Sequence, residues 1–206
     1  MTIRYHKNDL PDLSAYQDVD AVAVDTETLG LNPHRDRLCV VQLSPGDGSA
    51  DVVQIAKGQK AAPNLKALFE DLGKPKIFHF ARFDVAVLRQ YLEIEVAPVW
   101  CTKIASKLVR TYTDRHGLKD ITRELVNVEL SKQQQSSDWA ADTLSDAQLS
   151  YAASDVLHLH QLREKLQFML EREGRTHMAE ACFSFLPMRA ELDLKGWDEN
   201  DIFAHS

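Results

Sequence analysis

The 206-residue sequence predicts an α/β fold, in which a mixed β-sheet is flanked by helices and the C-terminal part is helical. Two observations support this class. Three strand-like runs precede the first helical pattern, and shorter strands then alternate with helices, which is the order of a mixed sheet with helices packed on it. The length suits a single domain with a core of its own.

The first strands are predicted from apolar runs separated by turn residues. Residues 20–25 form the first run, and a turn cluster at 32–36 leads to the second run at 38–43. A Pro-Gly-Asp-Gly segment at 45–48 precedes the third run at 51–55. Clusters of Pro, Gly, Asn and Asp between such runs are typical of tight connections. The first two runs are therefore expected to form a hairpin.

The spacing of apolar residues changes after the third strand. Helical spacing at 65–72 is followed by a short strand at 76–80 and a second helical pattern at 85–92. A fifth strand is expected at 96–100, and the pattern is then helical nearly to the end of the chain. These β-α units are expected to extend the sheet beyond its first three strands.

A long C-terminal helix is predicted from its first turn. Ser145 and Gln148 match a capping box, in which each side chain bonds the backbone N–H of the other residue. An apolar stripe continues from there to about Leu170. Tyr151 and Asp155 lie four residues apart, so their side chains are expected on one face of this helix.

The composition is that of a globular protein with an acidic balance. Hydrophobic residues make up 44% and charged residues 27%, which argues against a disordered chain. The net charge of −7 has the wrong sign for a protein that coats long nucleic acid. There is no signal-peptide pattern or membrane-spanning run, so a cytoplasmic protein with no membrane partner is expected. The three widely spaced cysteines are expected to be reduced and buried.

One local segment is a candidate for phosphate contacts. Residues 102–120 are mostly basic among their charged side chains, and the acids there are Asp114 and Asp120. The basic side chains are Lys103, Lys107, Arg110, Arg115, His116 and Lys119. A solvated helix face is the alternative, and charge alone does not decide between the two.

Two carboxylates at the end of the first strand point to metal chemistry. Asp25 and Glu27 are separated by one residue, and residues two apart in a strand share a face. Both can therefore reach one site, where Asp25 could bridge two ions. Phosphodiester hydrolysis is served by two hard divalent cations held by carboxylates. A single Asp-x-Glu pair also arises by chance in an acidic chain.

Three more residues complete the candidate set. Asp84 falls near the start of the helix after the strand at 76–80, where an acid can ligate metal or merely stabilise the helix N-terminus. Asp155 can ligate metal while the Tyr151 phenol orients the attacking water. A surface aspartate and a half-buried tyrosine are the alternative. All these residues together are far less expected by chance than any one alone.

Three segments resemble the motifs of the DEDDy superfamily of 3′-5′ exonucleases, in the same order and spacing. They are VAVDTETLGL with Asp25 and Glu27, IFHFARFD ending at Asp84, and YAASDVLHLHQL with Tyr151 and Asp155. In that family the four acids bind metal and the tyrosine orients water. The resemblance implies a ribonuclease H-like fold, two Mg²⁺ or Mn²⁺ ions as cofactors and nucleoside 5′-monophosphate products.

The region between the second and third motifs resembles the ribonuclease D branch. The matching residues are Gly117-Leu118, Ser131-Lys132, Ser137-Asp138-Trp139 and Leu144. The C-terminal helical nucleic-acid-binding domains of that branch do not fit into this length, so residues 1–206 are expected to be one exonuclease domain with no appended domain. The length, the segment 114–119 and the ending 185–197 are similar to the nanoRNase C subfamily, which implies a ring-shaped homo-oligomer.

Four residues are candidate substrate contacts. Leu31 matches the position where related oligoribonucleases insert an apolar wedge between the last two bases, and a core leucine is the alternative. His79, Phe83 and Trp139 are weaker candidates. Many relatives have Asn where this chain has Phe80, so a polar contact to the substrate is either missing or supplied by His79.

The predicted function is 3′-5′ hydrolysis of short single-stranded RNA or dinucleotides. The motifs contain nothing that senses a 2′-hydroxyl, so DNA or longer structured RNA ends are the nearest alternative substrates. A strand ending in Asp-x-acid-Thr also resembles haloacid-dehalogenase phosphatases, although these want Asp where Glu27 stands. A non-catalytic nucleotide-binding module is a third alternative, and it does not explain why the whole motif set is present.

Overall fold

A six-stranded mixed sheet forms the centre of the computed structural model, which describes residues 2–131, 133–134 and 136–205. Lys132, part of the ribonuclease D resemblance, lies outside the described residues. The strands are β1 (Thr2–Lys7), β2 (Val22–Thr28), β3 (Leu38–Ser44), β4 (Ser49–Gln54), β5 (Lys76–Phe78) and β6 (Val99–Cys101). Their order across the sheet is β1-β4-β3-β2-β5-β6. The predicted α/β fold with a mixed sheet is confirmed.

The sheet has an antiparallel half and a parallel half. Residues 29–37 connect β2 to β3 and residues 45–48 connect β3 to β4. The strand β3 is antiparallel to both neighbours, so the predicted hairpin is confirmed. On the other side, β5 lies parallel to β2, and β6 lies parallel to β5. The strand β2 is therefore interior to the sheet, with β3 on one side and β5 on the other.

Apolar periodicity does not predict β1, whose residues are polar or only half buried. This strand pairs in parallel with β4. The Arg4 guanidinium donates two hydrogen bonds to Asp51 of β4, at 2.8 and 2.7 Å, and His6 Nε2 lies 2.7 Å from the same carboxylate. Backbone pairing, these polar contacts and the packing of Ile3 on the core hold β1, and four strands rather than three precede the first helix.

Helices cover the sheet and follow one another at the C-terminal end. Those of the described chain are α1 (Pro63–Phe69), α2 (Ala81–Leu92), α3 (Thr102–Val109), α4 (Leu118–Val126), α5 (Asp146–Leu157), α6 (Leu159–Arg172) and α7 (Thr176–Leu192). A 3₁₀ turn at Ser14–Tyr16 and a π-helical turn at Asp193–Trp197 are also present.

The prediction of one long C-terminal helix is wrong, because two helices occupy its range. His158 separates α5 from α6 with φ −104° and ψ −2°. Val156 and Leu159 on either side of the break are both fully buried. The apolar stripe therefore continues across the break, which is why periodicity alone does not reveal it.

Packing on the sheet places the helix that carries the third motif. The helix α5 packs on β2, β3 and β4, and a small apolar cluster lies at this contact. Its buried members are Cys39, Val40, Val52, Trp139, Leu144 and Ala152. On the parallel half, α6 contacts β2 and β5, and α2 packs against α7.

The cysteines differ in their exposure to solvent. All three thiols are free, and Cys39 and Cys101 are buried as expected. Cys182 on α7 is exposed, so the expectation of buried thiols is wrong for this residue.

Among the described residues, the helices are too short or too polar for one to cross a membrane.

Candidate active site

The strand β2 carries the first two acids to the edge of the core. Residues 22–24 are completely buried, and the strand then continues through Asp25 and Glu27. Asp25 lies opposite Gln42 of β3, and the register shifts directly after Glu27. Because side chains alternate along a strand, the two carboxyl groups project from the same face.

Gln42 holds the Asp25 carboxylate from the neighbouring strand. Its Nε2 donates a hydrogen bond of 2.9 Å to Asp25 Oδ2. The Gln42 side chain is fully buried, and its Oε1 has no hydrogen-bond partner among the described residues. A glutamine whose single bond goes to Asp25 orients that carboxylate and leaves the other carboxylate oxygen for a ligand.

The second motif is attached to the first by a hydroxyl group. Asp84 is the fourth residue of α2 and is buried, with 3% of its surface exposed. Its Oδ1 accepts a hydrogen bond of 2.7 Å from the Oγ1 of Thr26, the residue between the two acids of β2. The predicted position of Asp84 near a helix start is confirmed, and its carboxylate points towards the sheet.

The capping box positions the third motif. Ser145 Oγ accepts a hydrogen bond of 3.3 Å from the Gln148 backbone N–H, and Gln148 Oε1 accepts one of 2.9 Å from the Ser145 N–H. The predicted start of this helix is therefore confirmed. Tyr151 and Asp155 follow one turn apart on α5, and the packing of that helix on β2 brings both to the acids of the sheet.

The predicted catalytic residues come together in one place. Carboxylate oxygens of Asp25, Glu27 and Asp155 all lie within 4.8 Å of one another. Asp84 lies outside this group of three, but its charge still raises the pKa of Asp25. The four acids and Tyr151 line one cavity of about 720 Å³.

Burial raises the pKa of all four carboxyl groups, and repulsion between them raises it further for Asp25 and Glu27. Burial raises the pKa of Asp25 well above its usual range, and the charges of Asp84, Asp155 and Glu27 add to this. Burial, and then the charges of Asp155 and Asp84, raise the pKa of Glu27 to about 9. Burial also raises the pKa of Asp84 and of Asp155 to about 7. The charged form of this cluster is therefore unfavourable unless a cation is bound.

The cluster fits divalent metal ions by its chemistry. Every donor is a carboxylate oxygen, the ligand type that Mg²⁺ and Mn²⁺ take in proteins. Within the described part of the chain, basic side chains form ion pairs with other acids and not with these four. A bound cation would remove the repulsion that raises the pKa values.

The Tyr151 phenol is a neutral group beside these acids. Burial raises its pKa above the usual range, and the charges of Asp155 and Glu27 add to the effect. Its ring contacts that of Trp139, with 6.0 Å between the ring centroids. Trp139 itself is 1% exposed. The indole therefore supports Tyr151 from the core, and it offers no open face for a base.

The other candidate substrate contacts line the same cavity. Leu31 is 85% exposed, so the alternative of a core leucine is wrong. Phe83 is partly buried against the core at the cavity wall.

His79 also lines the cavity. Its Nδ1 lies 2.9 Å from Thr102 Oγ1, and the Thr102 hydroxyl donates its proton to the Phe78 carbonyl. The histidine therefore donates from Nδ1, and burial, assisted by the Lys103 charge, lowers its pKa to about 3.

The basic segment contributes only part of its charge to the cavity. Lys103 and Lys119 line it. Arg110 is completely buried and forms an ion pair of 2.5 Å with Glu124. The prediction that residues 102–120 can meet phosphates is therefore wrong for Arg110, because the side chain holds α3 and α4 together.

Three residues contact the acids or line the cavity, although the sequence motifs assign them no role. Gln42 is the one polar residue in the apolar part of β3, and a buried amide in such a strand is the available sequence signal. Thr26 stands between two acids, where its small hydroxyl can reach a third. Phe80 has a left-handed backbone, which the sequence does not indicate.

Comparison with known families gives the family of this chain. The family of 3′-5′ exonucleases matches residues 8–171, and the chain belongs to that family. Ribonuclease D of Gluconacetobacter diazotrophicus is 35% identical over 154 residues, and that of Acidiphilium cryptum is 36% identical over 154 residues. Each alignment covers 75% of this chain and 39% of the relative, so the chain spans about two fifths of the length of these relatives.

Several solved structures share the fold of this chain and differ in their sequence identity to it. NrnC of Brucella melitensis with bound Mg²⁺ is 68% identical, covers 100% of both chains and has a TM-score of 0.97. The same protein bound to pGG is 69% identical with the same coverage and a TM-score of 0.97. Ribonuclease D of Escherichia coli shares the fold at 24% identity, with a TM-score of 0.77 over 91% of this chain and 51% of that one. The resemblance to the DEDDy exonucleases and to nanoRNase C, with its ribonuclease H-like fold, is confirmed.

Proposed function

We propose that this protein is a metal-dependent 3′-5′ exoribonuclease that hydrolyses short RNA to nucleoside 5′-monophosphates. The observation that carries the proposal is the meeting of four acids from three separate elements, beside a neutral tyrosine, in one cavity. Clustered acids of like charge with raised pKa values lower stability, so a purely structural role does not explain them. Perturbed titratable groups in a cleft are typical of catalytic sites.

Two Mg²⁺ or Mn²⁺ ions would be held by the four acids. Asp25, Glu27 and Asp155 suit one ion because their oxygens lie within 4.8 Å of one another, and Asp84, which lines the same cavity, would help to hold the second. When bound, such ions lower the pKa of a water molecule and neutralise charge on the reacting phosphate. The Mg²⁺ in the similar Brucella melitensis protein supports this assignment.

The chain's own residues orient these groups before substrate binds. Gln42 fixes one oxygen of Asp25, and Thr26 fixes one oxygen of Asp84. The Tyr151 phenol stays protonated at neutral pH because its pKa is raised, so it can hydrogen-bond the attacking water without adding negative charge. Trp139 holds the tyrosine ring from behind.

The proposed substrates are dinucleotides and other short single-stranded RNA. Because the net charge is −7, extended phosphate contacts would add little affinity for a long strand. The cavity of about 720 Å³ lies in the size range of small-ligand sites. Leu31 presents an exposed apolar side chain at its wall, where it can contact bases regardless of sequence. The pGG bound to the similar Brucella melitensis protein supports a short substrate.

Hydrolysis assays test the activity and the substrate class together. Phosphorylated RNA of about 2, 5 and 20 nucleotides, and the corresponding DNA, would be incubated with Mg²⁺, with Mn²⁺ or with EDTA. We expect metal-dependent release of nucleoside 5′-monophosphates, with kcat/KM for the dinucleotide at least equal to that for longer RNA and only weakly dependent on salt. A steep rise of kcat/KM with length that disappears at higher salt would show an extended basic track instead. Equal or faster cleavage of DNA would contradict the RNA assignment.

The ring-shaped homo-oligomer stays a prediction from the family resemblance. Light scattering coupled to size-exclusion chromatography would measure the mass of the purified protein. A mass of several chains, each of 23.3 kDa, is expected, and a monomer mass would contradict the prediction.

A further inference from the structure

Phe80 has a backbone conformation that large side chains rarely adopt. Its φ of 72° and ψ of 42° lie in the left-handed region. Crowding of Cβ against the following carbonyl disfavours this region for residues other than glycine, asparagine and aspartate. Phe80 also occupies the N-cap position of α2 without providing a side-chain hydrogen bond to that helix. Capping the helix therefore does not explain a phenylalanine here.

Packing in the core does not explain it either. The Phe80 ring is 45% exposed, and it is absent from both apolar clusters of the described residues. Phe83, three residues later, does pack against the main cluster. Backbone strain at a residue with little burial to offset it is typical of a functional position. The ring lines the same cavity as the four acids.

A lysine covers part of this ring. The Nζ of Lys103, in the first turn of α3, lies 4.3 Å from the Phe80 ring centroid, within the range of a cation–π contact. Lys103 also lines the cavity. An ammonium group can cover only one face of a ring, so the exposed remainder of Phe80 is available to another planar group.

We propose that Phe80 forms a stacking subsite for a nucleobase of a nucleotide next to the scissile phosphate, with Lys103 against the ring as the partner of a substrate phosphate. This inference rests on the proposed function and extends it to a specific contact. A flat aromatic ring stacks on any base, because every base has a π-face. A lysine ammonium beside it supplies the charge that a phosphate needs. The left-handed backbone of Phe80 is what aims the ring into the cavity instead of the core.

Binding of a non-hydrolysable ligand tests the subsite. The probe is a 5′-phosphorylated diribonucleotide with a methylenephosphonate linkage, with Mg²⁺ present. We expect Phe80→Gly, which removes the ring and adds no polar group, to weaken binding by about 5- to 140-fold, the usual range for loss of one base stack. Phe80→Trp should keep the affinity within a few-fold of the wild type. Lys103→Met should weaken binding and make Kd less dependent on salt, whereas Lys103→Arg retains both the charge and the cation–π contact.

Stability provides a second and independent measurement. Glycine adopts the left-handed region without crowding, so Phe80→Gly should raise Tm, on the order of 2–4 °C, while it weakens binding. Glu93 is the matched control, because it caps the other end of α2 with φ 56° and ψ 38° and is exposed. Glu93→Gly should raise Tm similarly and leave Kd unchanged. An unchanged Tm in Phe80→Gly would overturn the argument from backbone strain.

Removal of one base from the probe identifies the contact. One analogue of the probe lacks the base of the 5′ nucleoside, and another lacks the base of the 3′ nucleoside. If Phe80 stacks on one of these bases, Phe80→Gly should have little effect on binding of the analogue that lacks that base. Equal weakening for the intact probe and both analogues would overturn the stacking subsite, as would an unchanged Kd for the intact probe. These results are separate from a failure of the proposed function, because in that case the wild-type protein itself would not hydrolyse RNA of any length.

Discussion

At the scale of single residues, the carboxyl groups of the site depend on neighbours that are not acids. Gln42 and Thr26 each donate one hydrogen bond to a carboxylate, to Asp25 and Asp84 respectively. Both donors are buried, so their own positions are determined by the sheet. The orientation of Asp25 and Asp84 is thus built into the fold and does not depend on a bound ion.

Removal of single metal-binding acids should separate activity from stability. Asp25→Asn and Asp155→Asn are each expected to lower the single-turnover rate by more than about 100-fold, because each removes a charged ligand. Without metal, Tm should be unchanged or higher than that of the wild type, since one source of repulsion is gone. Rapid-quench kinetics and calorimetry in EDTA measure the two effects. Wild-type turnover in either variant at saturating Mg²⁺ would exclude the proposed metal site.

Tyr151→Phe tests the role of the phenol alone. The ring and its contact with Trp139 are kept, and only the hydroxyl is lost. We expect the single-turnover rate to fall by roughly 10²–10⁴-fold, the range of a positioned acid-base group, while Mg²⁺ affinity measured by titration calorimetry is retained. An unchanged rate would remove Tyr151 from the catalytic residues, and a loss of Mg²⁺ binding would indicate a structural role instead.

Gln42→Leu tests the residue that orients Asp25. Its side chain is close in size, so the main change is loss of the hydrogen bond to Asp25. Partners of metal ligands are typically worth about 10–100-fold in metal affinity, and we expect Mg²⁺ binding to weaken by that amount. Gln54→Leu is the control, because Gln54 bonds Tyr5 and the Ala141 carbonyl outside the site. Equal Mg²⁺ affinity in both variants would show that Gln42 serves only packing.

At the scale of secondary-structure elements, β1 shows how a strand forms without an apolar pattern. Its partner residue Asp51 is 3% exposed and accepts hydrogen bonds from Arg4 and from the Tyr16 hydroxyl. His6 contacts the same carboxylate. Backbone pairing attaches the strand to β4, and this one buried acid adds hydrogen bonds to β1 and to the 3₁₀ turn.

Asp51→Asn should loosen this attachment. We expect the free energy of unfolding to fall by about 1.5–3 kcal/mol, the range for hydrogen bonds that involve charged groups. Denaturant unfolding measures the change, and Asp18→Asn is the control, because this exposed residue should change stability by no more than about 0.5 kcal/mol. Equal stability of the two variants would show that backbone pairing alone holds β1.

At the scale of the whole molecule, the acidic cluster couples folding to pH. The folded-state pKa is about 7 for Asp84 and Asp155 and about 9 for Glu27, above the ordinary values near 4. Between pH about 4 and these raised values, the folded chain binds more protons than the unfolded chain. The contribution of these groups to stability is therefore greatest at low pH and is lost as the pH rises through that window.

Thermal unfolding of metal-free protein across this pH range measures the coupling. We expect the charging of the cluster to lower Tm as the pH rises from about 5 to about 8.5. Added Mg²⁺ should restore Tm, and the effect should be largest at the higher pH. Asp155→Asn should show a shallower fall in EDTA, because it removes one raised group and reduces repulsion on Glu27. The same pH slope in wild type and variant would contradict the link to the cluster.

Local sequence patterns are enough to predict the candidate site residues and most of the order of elements. Asp25 and Glu27 share a strand face, Asp84 follows a short strand, and Tyr151 and Asp155 are one helical turn apart, all of which follow from local spacing. Local patterns succeed here because strand alternation, helical periodicity and the capping box depend on residues that are close in the chain.

Contacts between distant segments determine how those residues are held. The bond from Gln42 to Asp25, the burial of Arg110 and the pairing of β1 with β4 each join segments that are separated in sequence. The left-handed backbone of Phe80 and the break at His158 also have no local sequence signal. Such features depend on the free energy of contacts between distant segments, which overrides the preference of any one segment and which no periodicity records.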